Sequence, residues 1–197
     1  MIKYLWQIPI KIWFYNGWVI KVYAIRIFLQ KNDIGMFYFV NKKLQNKILD
    51  VFMRYITELG STVFSVCICL FLVLLRLFSP NQKLWLLMSA NMILGQFITQ
   101  TAKRLFNRPR PWKSLGWARV VKSVSCSYSF PSGHTCSAFS IALVLSSVLP
   151  SINLVLFLLA TLVGISRIYL GCHYPSDVLT GSIVSLFSYF VVNIFIY

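Results

Sequence analysis

The chain has 197 residues, 58% of them hydrophobic, and its mean hydropathy is +0.72. This composition excludes an ordinary soluble domain and predicts a protein embedded in a membrane. The net charge of +15 suits anionic lipid headgroups or an anionic substrate. It does not indicate nucleic acid as a partner, because the basic residues flank apolar runs instead of forming one basic face.

Residues 1–58 are predicted to lie at the membrane surface. Within residues 1–31, lysine and arginine interrupt every apolar run, and several of them share one helical face next to aromatic side chains suited to headgroups. We interpret this stretch as one or two interfacial amphipathic helices, with no signal peptide. Residues 41–59 repeat the pattern and predict a further interfacial helix.

Five apolar segments within residues 59–197 predict a bundle of transmembrane helices. In chain order the segments are 59–75, 84–102, two within 135–166 that are separated by Pro150-Ser151-Ile152-Asn153, and 178–196. The second segment carries Asn91, Gln96 and Thr99, so we expect it to face other helices. The predicted fold is a single all-α integral membrane domain, with five transmembrane helices or six if residues 8–30 also cross.

The reactive polar side chains are predicted to share one membrane face. Each span carries the chain to the opposite side, so the ends of the second and fourth spans meet the starts of the third and fifth. The polar residues at these four points are Lys103, Arg110, Ser132, His134, Arg167, His173 and Asp177. A random scatter of polar residues would not collect on one face.

The loop before the last span contains a candidate nucleophile. Pro175 cannot continue a helix but suits a helix's first turn, so a new helix should begin near it. Asp177 then lies in that first turn and can reach back to His173, orienting the imidazole and stabilising its cationic form. Such a pair prepares a histidine for nucleophilic attack.

A second candidate element begins the third span. Ser132 is a natural N-cap after Pro131, and Gly133 removes side-chain bulk where a ligand would approach the backbone. Helix N-termini bind anions, and His134 beside them could donate a proton to a leaving oxygen. A plain helix cap with an interfacial histidine explains the same residues.

Three cations complete the candidate site. Lys103 and Arg110 would lie two helical turns apart if the helix continued to near Pro109, and Arg167 could make a bidentate contact with a phosphoryl group. The alternatives are a positively charged loop at the membrane edge, and an Arg167 that neutralises the carbonyl end of its own helix or pairs with Asp177.

Taken together, three motifs resemble those of the type 2 phosphatidate phosphatase superfamily. They are Lys103-x6-Arg110-Pro111, Pro131-Ser132-Gly133-His134 and Ser166-Arg167-x5-His173-x3-Asp177, in that family's order. The spacing selects Arg110 over Arg108, although both precede a proline. The N-terminal region departs from family members that begin with an ordinary transmembrane helix.

The resemblance implies a helical bundle that uses no metal or other cofactor and works through a phosphohistidine. His173 would attack phosphorus, Asp177 would orient it, and His134 would protonate the leaving oxygen. The groups that would stabilise the transition state are Lys103, Arg110, Arg167, the Ser132 hydroxyl and the backbone N–H groups of Gly133 and His134. With Asp177 as the sole carboxylate expected near the site, the sequence agrees with metal independence.

The implied substrate is a phosphate or diphosphate carried by a membrane lipid. We favour undecaprenyl diphosphate over phosphatidylglycerophosphate and phosphatidate. A lipid phosphotransferase and a non-catalytic phospholipid-binding or transport protein are the alternatives. A vanadate-dependent haloperoxidase would use similar residues, but those enzymes are soluble.

Two arguments place the site on opposite sides of the membrane. Of the 19 Lys and Arg residues, all but Arg76 and Lys83 fall on the catalytic side of a five-span protein, and the positive-inside rule would place that side in the cytoplasm. The resemblance implies an extracytoplasmic site for a bacterial enzyme that is multi-pass in the plasma membrane. We follow the resemblance, because part of the positive charge would serve the substrate phosphate.

Overall fold

The computed structural model describes residues 29–75, 83–121 and 126–197. Of the stretch 1–31, in which interfacial helices are predicted, residues 1–28 lie outside these ranges. Residues 29–38 form helix α1, which passes into a π-helical turn at Phe39–Lys43. Helix α2 spans Lys47–Ile56, and a 3-10 turn at Thr57–Gly60 leads into α3, Thr62–Leu75. The remaining helices are α4 (Lys83–Phe106), α5 (Pro111–Ser114), α6 (Gly133–Ser146), α7 (Asn153–Tyr169) and α8 (Pro175–Ile196).

The all-α prediction is confirmed: the described ranges contain helices and loops, with one isolated β-bridge between Pro109 and Tyr128. Helix α6 lies at the centre and packs against α4, α7 and α8. Its buried residues include Ala138, Ser140 and Ala142, whose small side chains let the neighbouring helices approach closely. The core of the bundle is therefore built around the helix that starts at the candidate anion site.

Each of the five predicted apolar segments is helical, and a 3-10 turn at Pro150–Ile152 separates α6 from α7 as predicted. By length and apolarity, two helices in the described ranges can cross a membrane, Pro150–Tyr169 and Pro175–Ile196. The pair Lys47–Gly60 and Thr62–Leu75, bent by 46°, would make a third. Helix α6, with 14 residues, is shorter than the roughly 20 that a bilayer core requires. The count of five remains a prediction.

Helix α4 carries the polar face that the sequence indicated. Asn91, Gly95, Thr99 and Lys103 recur every four residues, and all are buried, on the side that meets α6 and α8. A methyl group added at Gly95 would lie 2.9 Å from the Cys136 sulfur, so the backbones of α4 and α6 approach closely there. The expectation that this segment faces other helices is confirmed, and the face ends at Lys103.

Residues 41–59 form a shorter helix than predicted. Asn41 is buried in the π-helical turn, and its side-chain Nδ2 donates to the backbone oxygens of Tyr169 (2.8 Å) and Arg119 (2.9 Å). Helix α2 starts afresh after Asn46, whose side chain accepts a hydrogen bond from the Ile48 N–H. Three apolar residues on its outer face are well exposed, as expected of a surface in contact with lipid: Ile48, Val51 and Tyr55.

Helix α4 does not continue to near Pro109, which was the condition for Lys103 and Arg110 to lie two turns apart on one helix. The helix ends at Phe106, and Asn107 takes a left-handed conformation with φ of 48°. Pro109 disfavours the helical conformation for the residue before it, which explains why the helix does not resume there. Arg110 therefore reaches the site from a loop, as the N-cap residue of α5.

Gly171 shapes the turn that follows α7. Its φ is +84°, and a methyl group there would collide with the backbone oxygen of Arg119. The turn brings the N–H groups of Cys172 and His173 back onto the Arg167 carbonyl, at 3.0 and 3.2 Å. The position of His173 thus depends on a glycine at residue 171.

Substituting Gly171→Ala should lower the stability of the fold by at least about 1 kcal/mol, because alanine combines backbone strain with a steric clash. The measurement is the thermal midpoint of the purified protein in detergent. Gly35→Ala is the matched control: a methyl group at Gly35 meets nothing within 4 Å, and residue 35 lies in α1. That variant should melt at or above the wild-type temperature. A Gly171→Ala protein with the same thermal midpoint as the wild type would contradict this interpretation of the turn.

Candidate active site

His173 lies in the short loop between α7 and α8 and is 2% exposed. Its Nε2 is 3.3 Å from a terminal nitrogen of Arg110, and its Nδ1 is 3.6 Å from Oδ2 of Asp177. The second distance exceeds that of a hydrogen bond. Catalytic hydrogen bonds are often long without substrate and shorten when it binds, so the pair has the geometry of an imidazole oriented by a carboxylate.

Asp177 is fixed by the start of α8. Helix α8 begins at Pro175 with Tyr174 as its N-cap, which confirms the predicted helix start. Oδ2 of Asp177 accepts a hydrogen bond from the Tyr174 N–H at 2.8 Å, and Oδ1 accepts one from Arg108 at 2.6 Å. Both oxygens of this fully buried carboxylate therefore have partners that hold its position next to His173.

The two arginines of the Arg108-Pro109-Arg110-Pro111 stretch contact different residues of the catalytic pair. Arg110 is 3% exposed, faces His173, and donates from Nε to the backbone oxygen of Cys126 at 2.6 Å. Arg108 lies on the other side of the pair and binds Asp177 instead. The spacing argument that chose Arg110 for the substrate side thus matches the placement of both residues.

The start of α6 lies next to the start of α8. Ser132 is the N-cap that the sequence predicted, and its hydroxyl oxygen accepts hydrogen bonds from the N–H (3.4 Å) and the hydroxyl (2.8 Å) of Thr135. Its own N–H donates to the Asp177 carbonyl at 3.0 Å. A methyl group at Gly133 would lie 3.7 Å from the Lys103 ammonium nitrogen, so Lys103 reaches the same helix start.

Arg167 is 1% exposed at the end of α7. One terminal nitrogen donates to the Thr57 hydroxyl at 2.9 Å. In the described part of the chain, no group hydrogen-bonds to the Arg167 Nε. Arg167 does not pair with Asp177, which was one of the alternatives, because Arg108 holds that carboxylate.

His134 is the second residue of α6 and is half-buried in its first turn. The structure thus brings all the predicted site residues to the neighbouring starts of α6 and α8. Direct contacts or short separations connect His173, Asp177, Arg110, Ser132, Gly133 and Lys103. Arg167 joins them through the turn at Gly171.

Burial and charge together keep His173 neutral. Burial is the largest effect, and the positive charges of three neighbouring side chains add to it, so the pKa of His173 lies well below its usual range. The three are Arg110, Arg167 and Lys103. Neutral imidazole has a nitrogen lone pair, which is the form required of a nucleophile.

Two contributions to the site come from the region predicted to be only interfacial. Asp33 in α1 forms an ion pair with Arg108 at 2.5 Å, so Asp177 is not the only carboxylate at the site. Thr57 supplies the hydroxyl that holds Arg167. The rarity of acidic residues, 4 in 197, is the one sequence signal that could have drawn attention to Asp33.

An apolar groove lies on the bundle between α3 and α4, and one of its lining residues contacts the start of α6. It has a volume of about 530 Å³ and is lined mainly by α3 and α4. Its lining includes Val66, Leu70, Val73, Met92 and Ile93, with Gln96 and Ser137 as polar members. The Gln96 amide nitrogen donates to the Gly133 carbonyl (3.1 Å) and the Ser137 hydroxyl (2.8 Å), so the groove reaches the residues at the start of α6.

Comparison with known proteins identifies chains that are similar to this one. The family model described as the PAP2 superfamily matches residues 84–197. Undecaprenyl-diphosphatase BcrC of Bacillus subtilis is 29% identical over 143 residues, which are 72% of each chain. Phosphatidylglycerophosphatase B of the same organism is 32% identical over 158 residues, 74% of each chain.

A solved structure has the same fold. The crystal structure of a transmembrane PAP2 type phosphatidylglycerolphosphate phosphatase from Bacillus subtilis superimposes with a TM-score of 0.72 at 27% identity and covers 85% of both chains. Together with the apolar helices α7 and α8, this similarity identifies the chain as a membrane protein.

The neutral His173 should make stability depend on pH. In the unfolded chain a histidine titrates near pH 6.5, whereas in the folded protein the pKa of His173 is well below that value. Below about pH 6.5 the unfolded chain binds a proton that the folded protein does not, so stability is lost as the pH falls. The thermal midpoint should therefore drop more between pH 7 and pH 5 for the wild type than for His173→Asn. Equal drops would show that His173 is not held neutral.

Proposed function

The chain belongs to the PAP2 superfamily, and we propose that this lipid phosphatase cleaves a membrane lipid phosphate or diphosphate through a phosphohistidine at His173. Three buried cations around His173 carry the proposal: Lys103, Arg110 and Arg167. Buried charges require a counter-charge, and the carboxylate beside His173 is already bound by Arg108. A phosphoryl group supplies the missing negative charge.

In the first step, Nε2 of His173 attacks phosphorus while the bond to the leaving oxygen breaks. The tautomer with a proton on Nδ1, directed at Asp177, leaves the Nε2 lone pair free for attack. The imidazole becomes positively charged as the P–N bond forms, and Asp177 stabilises that charge. His134 donates its proton to the leaving oxygen, so the lipid departs as an alcohol or a monophosphate.

In the second step, water attacks the phosphohistidine and breaks the P–N bond. His134, now without its proton, takes a proton from the attacking water, and inorganic phosphate leaves. In both steps charge builds up on the equatorial phosphoryl oxygens. The groups that stabilise it are the three cations, the Ser132 hydroxyl and the backbone N–H groups of Gly133 and His134 at the start of α6.

The groove supports a lipid as the substrate. It is lined mainly by apolar side chains of α3 and α4, and Gln96 in its lining donates a hydrogen bond to the carbonyl of Gly133. A hydrocarbon chain in the groove would bring its phosphate to the start of α6. We propose undecaprenyl diphosphate as the preferred substrate over phosphatidylglycerophosphate and phosphatidate. The first two correspond to the names of the two Bacillus subtilis relatives.

Phosphate release from these three lipids in the presence of EDTA tests the proposal. The wild type should release phosphate, and His173→Ala should release none. Lys103→Gln should lower kcat/KM by about 10²–10³, the usual cost of one transition-state donor. Arg104→Gln is the matched control, because Arg104 is the next residue of α4 but is exposed; its activity should stay within about 2-fold of the wild type. An active His173→Ala protein would refute the mechanism.

The same assay separates the alternatives. A non-catalytic lipid-binding protein would bind the lipids and release no phosphate. A phosphotransferase would move labelled phosphate to an acceptor lipid instead of to water. Activity that EDTA abolishes and a divalent metal restores would contradict the metal-independent route.

We further propose that α3, α4, α6, α7 and α8 each cross the plasma membrane and that the site is extracytoplasmic. The cations on the catalytic side are weak evidence for a cytoplasmic face because many have partners in the protein. Arg110 and Arg167 are buried in the site, while Arg108 and Arg119 pair with Asp33 and Asp50.

Cysteine labelling in intact cells tests this orientation. Gly116 is exposed on the catalytic side with open space around it, and Ser151 is exposed in the turn between α6 and α7 on the other side. In a background without Cys67, Cys69 and Cys126, the thiols that are not buried, Gly116→Cys should react with an impermeant maleimide. Ser151→Cys should react only after permeabilisation. The reverse pattern would place the site in the cytoplasm.

A further inference from the structure

Helix α1 is joined to the catalytic pair by a chain of polar contacts. Asp33 accepts a hydrogen bond from Arg108 at 2.5 Å, and Arg108 donates in turn to Asp177 at 2.6 Å. Asp177 lies 3.6 Å from His173. Two carboxylates therefore share one guanidinium, and this series of contacts connects α1 to the candidate nucleophile.

Ser176 links the same groups a second time. Its N–H donates to Oδ1 of Asp33 at 2.8 Å and its hydroxyl donates to Oδ2 at 2.6 Å. The hydroxyl oxygen also accepts from Arg108 at 2.6 Å. Asp33 thus satisfies an N–H group in the first turn of α8, the turn that carries Asp177.

The surroundings keep these contacts rigid. Asp33 is 7% exposed, and the Arg108 guanidinium lies 4.0 Å from the centre of the Tyr174 ring. Phe37, one turn after Asp33 on α1, packs against Tyr174, with the two ring centres 5.7 Å apart. Charge-assisted hydrogen bonds shielded from water in this way are among the stronger ones in proteins.

We propose that Asp33 is a positioning residue for the reaction at His173, acting through Arg108 and Ser176 on the carboxylate of Asp177. This inference rests on the proposed function. By sharing the guanidinium, Asp33 leaves part of the negative charge of Asp177 available to the imidazolium that forms at His173. It also keeps Arg108 from drawing the Asp177 carboxylate away from the imidazole, and small displacements of this kind are costly to rate.

Asp33→Asn tests the assignment because asparagine keeps the shape and can still accept the Ser176 N–H. It removes the charge shared with Arg108. We expect kcat to fall about 10-fold, equivalent to about 1.4 kcal/mol in the barrier. KM should stay within about 2-fold, since none of the three cations that would hold the phosphate contacts Asp33 through the described bonds.

Asp50→Asn is the matched control. Asp50 in α2 also binds an arginine through two short contacts, 2.8 Å from each oxygen to Arg119, and accepts a hydrogen bond from Tyr169 at 2.6 Å. It makes no contact with Asp177 among the described hydrogen bonds. Both variants should lower the thermal midpoint in detergent, but only Asp33→Asn should lower kcat by about 10-fold.

A double-mutant cycle shows whether Asp33 acts through Asp177. In an Asp177→Asn background, the further change Asp33→Asn should alter kcat by less than about 2-fold. The inference is overturned if Asp33→Asn alone leaves kcat within 2-fold of the wild type, if Asp50→Asn loses as much, or if the same 10-fold loss appears in the Asp177→Asn background.

Two further arms keep the test decisive. If Asp33→Asn does not fold, Ser176→Ala replaces it: loss of the bridging hydroxyl should lower kcat about 3-fold at constant KM, and an unchanged kcat would overturn the inference. An active His173→Ala protein would remove the proposed function itself. If His173→Ala is inactive and Asp33→Asn is fully active, only the proposed role of Asp33 is refuted.

Discussion

Burying three positive charges beside one histidine is the constraint on which the rest of the structure depends. Lys103, Arg110 and Arg167 are each less than 9% exposed, and repulsion among them opposes folding. The backbone offsets part of this cost: Arg110 donates to the carbonyls of Cys126 and Cys172. In the proposed reaction, a phosphoryl group neutralises the remaining positive charge.

The few acidic residues are used to hold this arrangement together. Asp177 and Asp33 each form an ion pair with Arg108. Asp50 forms an ion pair with Arg119, whose backbone contacts Asn41 and lies next to Gly171. Of the 4 Asp and Glu residues in the chain, Asp33 and Asp177 therefore act next to His173, whereas Asp50 holds the outer loop at Arg119. The segment before the first predicted span is in this sense part of the site.

Local signals explain what the sequence predicted well. Pro175 marks a helix start through its fixed backbone angle and Ser132 through its side-chain hydroxyl, so the starts of α8 and α6 and the turn before α7 could be placed within a residue or two. The polar residues of α4 likewise indicated that this segment faces other helices. These features depend on neighbours within one or two turns of the chain.

The missed features depend on contacts between distant residues. Asp33 and Arg108 are separated by 75 positions, and Thr57 and Arg167 by 110. No local pattern connects such residues, and the amphipathic pattern of the N-terminal region pointed to lipid instead. Helix α4 runs four residues beyond the predicted apolar segment 84–102 and ends at Phe106, before the left-handed Asn107.

The central claim is that His173 becomes covalently phosphorylated, and direct detection of that bond tests it best. Wild-type protein mixed with lipid diphosphate is quenched within milliseconds in alkaline denaturant, where a phosphohistidine survives, and its peptides are analysed by mass spectrometry. The account predicts one added phosphoryl group on the peptide that contains His173, disappearing as turnover ends. Turnover with no phosphorylated histidine, or with the phosphoryl group on His134, would contradict it.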